Sequence, residues 1–191
     1  MQKMIASLLV LAGFILVGYA GYEMYMTNVQ QEQALQSAKE LVVEEVEEVV
    51  WEEDGLEFTP EQGEVIGILT IPALDAELPI IEGTHEDELA RGVGHFEGTG
   101  YPSQNRQILL SGHRDTVFRS LGELEVGDIF EVTMSYGTFQ YEIEESFIVD
   151  ADDTSVIDYS IDEELLTVST CYPFSFVGNA PERYILQAKP L

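Results

Sequence analysis

Cysteine is almost missing from this sequence. Cys171 is the only one among 191 residues, so no internal disulfide can form and no CxxC zinc site can be built. The three histidines belong to no Cys/His cluster, which leaves structural zinc unsupported as well. Cations are scarce: 8 Lys and Arg face 36 Asp and Glu, a formal net charge of −28. That balance excludes nucleic acid as a partner, because phosphates neutralised by Lys and Arg supply most of such affinity. Nor will the chain cling to anionic lipid head groups by charge. Apolar residues, by contrast, make up 45% of the chain. This is too many for a disordered protein, and the length allows one ordinary domain plus extensions.

Charge divides the chain into three. Residues 1–22 carry Lys3 alone, residues 23–64 carry 13 acids against Lys39, and residues 65–191 carry 23 acids against 6 bases. Met4 to Tyr22 is a run of 19 residues without a charge. As a helix it spans ~28 Å, close to the ~30 Å hydrocarbon core of a bilayer. Residues 1–26 are therefore expected to anchor the protein in the cell membrane by a single span through residues 4–22. Lys3 keeps the N-terminus cytoplasmic and sends everything after Glu23 outside. Gly18-Tyr19-Ala20 is a small-x-small site, so cleavage as a secretory signal is the alternative. The apolar run is longer than a usual signal core. A soluble core helix is the third reading. Residues 27–64 are expected as an acidic stalk, helical in part, since Leu35, Ala38, Val42, Val46 and Val49 recur at three- and four-residue spacing. Glu44-Glu45, Glu47-Glu48 and Glu52-Glu53-Asp54 would be solvated, and the segment reads as a spacer or a short coiled coil.

From Val65 the pattern becomes β-rich, with short runs between Gly, Pro and Asp turns. Strands are expected at Val65–Ile71, Leu78–Ile81, Gln107–Gly112, Ile129–Met134, Thr138–Val149, Leu165–Thr170 and Arg183–Ala188, with a helical turn at Glu86–Arg91. Phe130, Val132 and Met134 alternate with Glu131 and Thr133, and Phe139, Tyr141 and Ile143 alternate with Gln140, Glu142 and Glu144. Each pattern is that of a half-buried strand, and Ser135-Tyr136-Gly137 joins the two as a hairpin. Seven or eight strands in residues 65–191 point to a barrel or a sandwich.

Three side chains stand out for chemistry. Cys171 closes the apolar run Leu165–Thr170, and Tyr172-Pro173 then breaks the ladder. Arg183 opens the next β-like run. If those strands pair antiparallel, the end of one lies beside the start of the other and Cys171 neighbours Arg183. A cation beside a thiol favours the thiolate, the reactive form of cysteine. His113 leaves a third apolar run, Ile108–Leu110, through Ser111-Gly112. A cysteine, a histidine and an arginine at strand ends fit acyl transfer: nucleophile, proton shuttle and oxyanion stabiliser. Taken singly, each has an ordinary explanation. A lone cysteine is usually a small buried hydrophobe, a lone histidine is structural or exposed, and an arginine at a strand start makes a surface pair. His85 and His95 are read in that ordinary way.

Thr167-Val168-Ser169-Thr170-Cys171, with Ser111-Gly112-His113 upstream and Pro181-Glu182-Arg183 downstream, resembles the sortases, membrane-anchored cysteine transpeptidases of Gram-positive bacteria. The likeness extends over about Glu64–Leu191 through Leu69-Thr70-Ile71-Pro72, Leu78-Pro79-Ile80, Glu82-Gly83-Thr84, Gly92–Phe96 and Gly112–Thr116. Cys171-Tyr172-Pro173-Phe174 and Ala180–Tyr184 are most similar to class D. The resemblance implies an eight-stranded sortase β-barrel with short helices. It implies that Cys171 attacks the threonine carbonyl of a Leu-Pro-any-Thr-Gly/Ala sorting signal on a surface protein, forming an acyl-thioester. His113 would protonate the leaving amine and deprotonate the incoming one, and Arg183 would bind the substrate or the oxyanion. The Thr170 side chain and a backbone N–H near Tyr172 would assist.

The implied acceptor is a peptidoglycan-precursor amine, or a pilin lysine if the class D likeness is misleading, with water as a slow substitute. The loop Asp150–Glu164, between the sixth and seventh barrel strands, would form a groove wall, with Val156 and Ile157 lining the Leu-Pro pocket or packing on the core. A class A calcium site would draw on Glu97, Asp150, Asp152 and Asp153. Ser103-Gln104-Asn105-Arg106 stands where class A has its acid cluster, so no metal or other cofactor is expected and the acids are read as solvated. Residues 27–64 hold no Asp-Pro-aromatic lid motif of the pilin sortases. The alternatives in function are a non-catalytic acidic surface module, calcium-binding or not, and a plain cysteine peptidase. The chain order His–Cys–Arg argues against a papain-like enzyme.

Overall fold

A computed structural model describes residues 2–43, 51–52, 55–56, 58–176 and 178–191. One helix, α1 (Gln2–Val43), takes in the apolar run and 21 residues beyond Tyr22. No proline interrupts it, and Gln, Glu, Ala, Leu and Lys after residue 29 are good helix formers. Its first half meets no other part of the protein: Met4, Phe14 and Val17 are each 72% exposed. This stretch is long and apolar enough to cross a membrane. The second half behaves differently. Ala34 and Ala38 are buried; four residues apart, they share one helix face. Their small side chains let α1 lie close on the barrel, where Gln31 Nε2 donates to the Ala90 carbonyl at 3.4 Å and Lys39 pairs with Glu77. The expected stalk is thus helical to Val43 and rests on the barrel along that length. Val46 and Val49 lie outside the described residues. A two-residue ladder of β1 (Trp51–Glu52) and β2 (Gly55–Leu56) follows.

The rest is a closed barrel of eight strands: β3 (Val65–Ile71), β4 (Ala76–Glu82), β5 (Val93–His95), β6 (Gln107–Gly112), β7 (Ile129–Met134), β8 (Gly137–Asp150), β9 (Leu165–Tyr172) and β10 (Glu182–Pro190). Around the barrel the order is β10-β8-β7-β3-β4-β5-β6-β9. The β4–β5 and β6–β9 pairs are parallel and the others antiparallel. Parallel neighbours need a crossover, and α2 (Glu86–Arg91) lies in the one between β4 and β5. The expected alternations hold. Phe130, Val132, Met134, Tyr141 and Ile143 point into one core with Ile108, Leu110, Leu166, Val168 and Leu186.

Only β5 was not expected among the barrel strands, and Gly94 is the reason. A Cβ there would lie 2.4 Å from the Gly83 carbonyl oxygen. The close approach that makes this strand possible also removes the side-chain signal that would announce it. His95, at the end of β5, is buried, with Nδ1 2.8 Å from Glu82 Oε2, Nε2 2.9 Å from the Gly100 carbonyl, and its ring stacked on Tyr101. It serves the fold.

Three phenols are held protonated. Burial first, then nearby carboxylates, push Tyr101 and Tyr141 far above the usual tyrosine range, with Glu82 beside Tyr101 and Glu164 accepting from the Tyr141 hydroxyl at 2.6 Å. Tyr136 is raised chiefly by burial. Unfolded tyrosines ionise near pH 10 while these keep their protons, so above about pH 10 the unfolded state binds fewer protons and stability falls as pH rises. Urea unfolding followed from pH 7 to 11 should show a level midpoint that drops beyond about pH 10. Tyr141→Phe should be less stable at neutral pH but lose less on the alkaline side. An equal alkaline slope in the variant would contradict the assignment.

Candidate active site

The three candidate residues leave three adjacent strands at one end of the barrel. In β9, Leu166 and Val168 face the core and Thr170 shares their side. Strand alternation then turns Thr167, Ser169 and Cys171 to the outer face. Cys171 is a free thiol, partly exposed. The antiparallel β9–β10 register sets Arg183 directly across from it. Arg183 is half-buried, and its Nη1 donates to the Glu182 carbonyl at 2.9 Å and the Ala180 carbonyl at 3.4 Å. On the other side β6 runs parallel to β9 with Gly112 opposite Thr170, so His113 and Cys171 are the next residues of two neighbouring strands.

The His113 turn is fixed from beneath. Phe118 is buried in the core and its N–H donates to the His113 carbonyl at 3.0 Å. Its ring lies so close to Gly112 that a Cβ there would come within 2.6 Å of it. Glycine is required before His113 for that reason. Strand register thus brings Cys171, His113 and Arg183 to one rim of the barrel.

A sortase-domain family model matches residues 69–191. The chain belongs to the sortase family. Sortase D of Bacillus subtilis (strain 168) is 47% identical over 196 residues, which cover 99% of this chain and 98% of that one. This bears out the class D likeness. Among solved structures, a Clostridium perfringens Sortase D5 transpeptidase shares 29% identity at a TM-score of 0.70, covering 85% of this chain and 99% of its own. A Clostridium perfringens sortase C, solved with a C-terminal cell wall sorting motif, shares the fold at 23% identity and a TM-score of 0.63, covering 92% and 98%. The family is one of cysteine transpeptidases, and the closed barrel is its fold.

The remaining expected residues of this sortase fall in different places. Thr170 is 2% exposed, and its hydroxyl donates inward to the Gly112 carbonyl at 2.7 Å. It is therefore tied to the strand end that carries His113 and is turned into the barrel. The Tyr172 ring packs with Phe174 and Tyr184, with centroids 5.7 and 6.2 Å away. Val156 and Ile157 are half-buried in the loop between β8 and β9. Glu97, Asp150, Asp152 and Asp153 are exposed. The Asp153 carboxylate, lowered by its hydrogen bonds from Ser155, closes a local turn. Among the described residues no three His, Cys, Asp or Glu side chains come together as a metal-holding group.

Two polar side chains that tie loops to the barrel escaped sequence reasoning. Arg114, next to His113, reaches across to the loop between Cys171 and Arg183: its Nη2 donates to the Phe176 carbonyl at 2.6 Å and the Gly178 carbonyl at 2.9 Å. Its place beside His113 in the Gly112–Thr116 likeness was its signal. Gln107, at the start of β6, bonds to the β8–β9 loop and had none.

Proposed function

We propose that this protein is a membrane-anchored sortase that cleaves a Leu-Pro-any-Thr-Gly/Ala sorting signal and joins the surface protein that carries it to a cell-wall amine. The convergence of Cys171, His113 and Arg183 on one rim of the barrel carries this reading. Cys171 passes its thiol proton to His113 as Sγ adds to the threonine carbonyl, and the carbon–nitrogen bond to the next residue breaks as His113 gives that proton to the amine. The thioester is then attacked by a peptidoglycan-precursor amine. His113 takes the amine proton, the carbon–sulfur bond breaks, and the proton returns to the thiol. Water in place of the amine gives hydrolysis. Residues 1–26 anchor the chain by a single span with the N-terminus cytoplasmic, residues 27–64 link the anchor to the barrel, and residues 65–191 form the extracellular catalytic domain. No metal enters this scheme. The family membership and the sorting motif on the sortase C neighbour support the substrate class.

The test is full-length protein in detergent with a panel of Leu-Pro-any-Thr-any peptides, with and without a primary amine, read by product mass. An amide product that needs both peptide and amine is expected. Cleavage indifferent to amine would mark a plain peptidase, and no reaction on any peptide would contradict the reading.

Arg183→Ala is expected to lower kcat/KM by about 10²–10³, the usual cost of one oxyanion donor. Arg183→Lys should recover part of this only, since a point charge lacks the planar fork of donors. The same panel measures it, and full recovery by lysine would show that charge alone suffices.

A further inference from the structure

Gln107 is the first residue of β6 and is 3% exposed. Its neighbours Ile108 and Leu110 face the core, so its side chain lies on the outer face. A buried primary amide brings two donors and an acceptor that all need partners. Here Nε2 donates to the Val156 carbonyl at 2.7 Å and to Thr167 Oγ1 at 2.9 Å, and Oε1 accepts from the Asp158 N–H at 2.8 Å. Two of the three partners are main-chain groups of the β8–β9 loop, and they flank Ile157.

That loop runs from residue 151 to 164 without regular structure. Segments of such length are usually mobile or functional. Its ends are fixed, Ala151 by the Pro181 carbonyl at 2.8 Å and Leu165 by the Arg106 carbonyl at 3.4 Å. Near its second end Glu164 accepts from the Tyr141 hydroxyl and the Ser103 N–H, and Glu163 pairs with Lys189, whereas between residues 154 and 160 the bonds other than those to Gln107, such as Ile157 N–H to the Thr154 carbonyl and Ser160 to Asp158, lie within the loop. Gln107 is the tether at its middle.

The tether has a defined place relative to the nucleophile. Thr167, which shares the Gln107 amide, is four residues before Cys171 on the same face of β9. At ~3.3 Å per strand residue that is ~13 Å, the span of about four extended residues. An extended peptide with its threonine carbonyl at Cys171 would carry its leucine, three residues earlier, ~10 Å along β9, so that the leucine side chain approaches Val156–Asp158.

Resting on the sorting-signal reading above, we propose that Gln107 is a positioning residue that sets substrate selection: its amide holds Val156–Asp158 over the outer face of β6 and β9 as a ready-made wall for the Leu-Pro end of the signal. Gln107 touches neither the reacting atoms nor the catalytic residues. Its loss should therefore weaken peptide binding and spare the chemistry, a rise in KM without a fall in kcat.

The experiment uses full-length protein in detergent and compares wild type with Gln107→Met, which keeps the length and removes the hydrogen bonds. KM for a Leu-Pro-any-Thr-Gly peptide should rise about tenfold while kcat stays within about threefold. Alkylation of Cys171 by iodoacetamide should keep its rate, showing an intact barrel and thiol, and amide exchange should quicken in residues 154–160. Should Gln107→Met fail to fold, Asp158→Pro removes the Oε1 partner from an exposed loop position, and the same KM split is expected. KM within twofold of an active wild type in the variant that folds would overturn the proposal alone. A parallel fall of kcat, KM performance and alkylation rate would overturn it too, by showing a general structural role. A wild type inactive on every peptide would overturn the sorting-signal reading and the proposal with it.

Discussion

Cys171→Ala is expected to leave no measurable acyl-enzyme and no amide product, with the melting temperature changed by only a few degrees. Both halves follow from position. The chain has no second cysteine to substitute. Cys171 points outward from the end of β9 and is partly exposed, so loss of its sulfur opens no core cavity of the kind that makes large-to-small changes costly. Neighbouring Thr170 keeps the strand end bound to Gly112 by its own hydroxyl. Product mass and thermal unfolding of the same preparation decide it. Turnover within tenfold of wild type would exclude cysteine catalysis, and a collapsed melting transition would assign Cys171 to the fold.

His113→Ala should cost about 10²–10⁴ in kcat/KM, the usual worth of a positioned acid–base group. In the proposed scheme one residue serves both half-reactions, since the amine that leaves must gain a proton and the amine that enters must lose one. The loss should depend on the leaving group. With a thioester substrate, whose thiolate departs without a proton, the variant should recover most of its acylation rate; with a peptide it should not. The backbone at this position is fixed by Phe118 and Gly112, so removing the imidazole should leave the turn in place. A peptide rate within tenfold of wild type would require another proton carrier.

What could be read from sequence was whatever a local period reports. The alternation of Phe130, Val132 and Met134 gave the direction of β7, and the two apolar runs around Cys171 and Arg183 were enough to bring those residues face to face once antiparallel pairing was assumed. The same period of two bears on Thr170: adjacent residues of a strand point to opposite faces, so Thr170 and Cys171 cannot both line one groove, and the structure turns Thr170 inward. Other features left no local trace. The docking face of α1 is made by Ala34 and Ala38, whose small side chains read as ordinary helix formers. Strand β5 depends on a glycine that admits a neighbouring backbone. Gln107 finds its loop partners 49 and 51 residues further along the chain, at a distance where no pattern of polar and apolar residues carries information. The acids around Asp150 and Asp153 showed the reverse, a conspicuous cluster in sequence that in space closes local turns.

Thioester chemistry at Cys171 is met most directly by intact mass of the full-length protein, mixed with a Leu-Pro-any-Thr-Gly peptide and quenched in acid within seconds. Wild type should gain the mass of the peptide fragment ending in threonine, with the adduct mapped to Cys171, and lose it when a primary amine is added before the quench, as an equal amount of amide product forms. Cleaved peptide with no adduct at any time point, or an adduct that survives in Cys171→Ala, would contradict it.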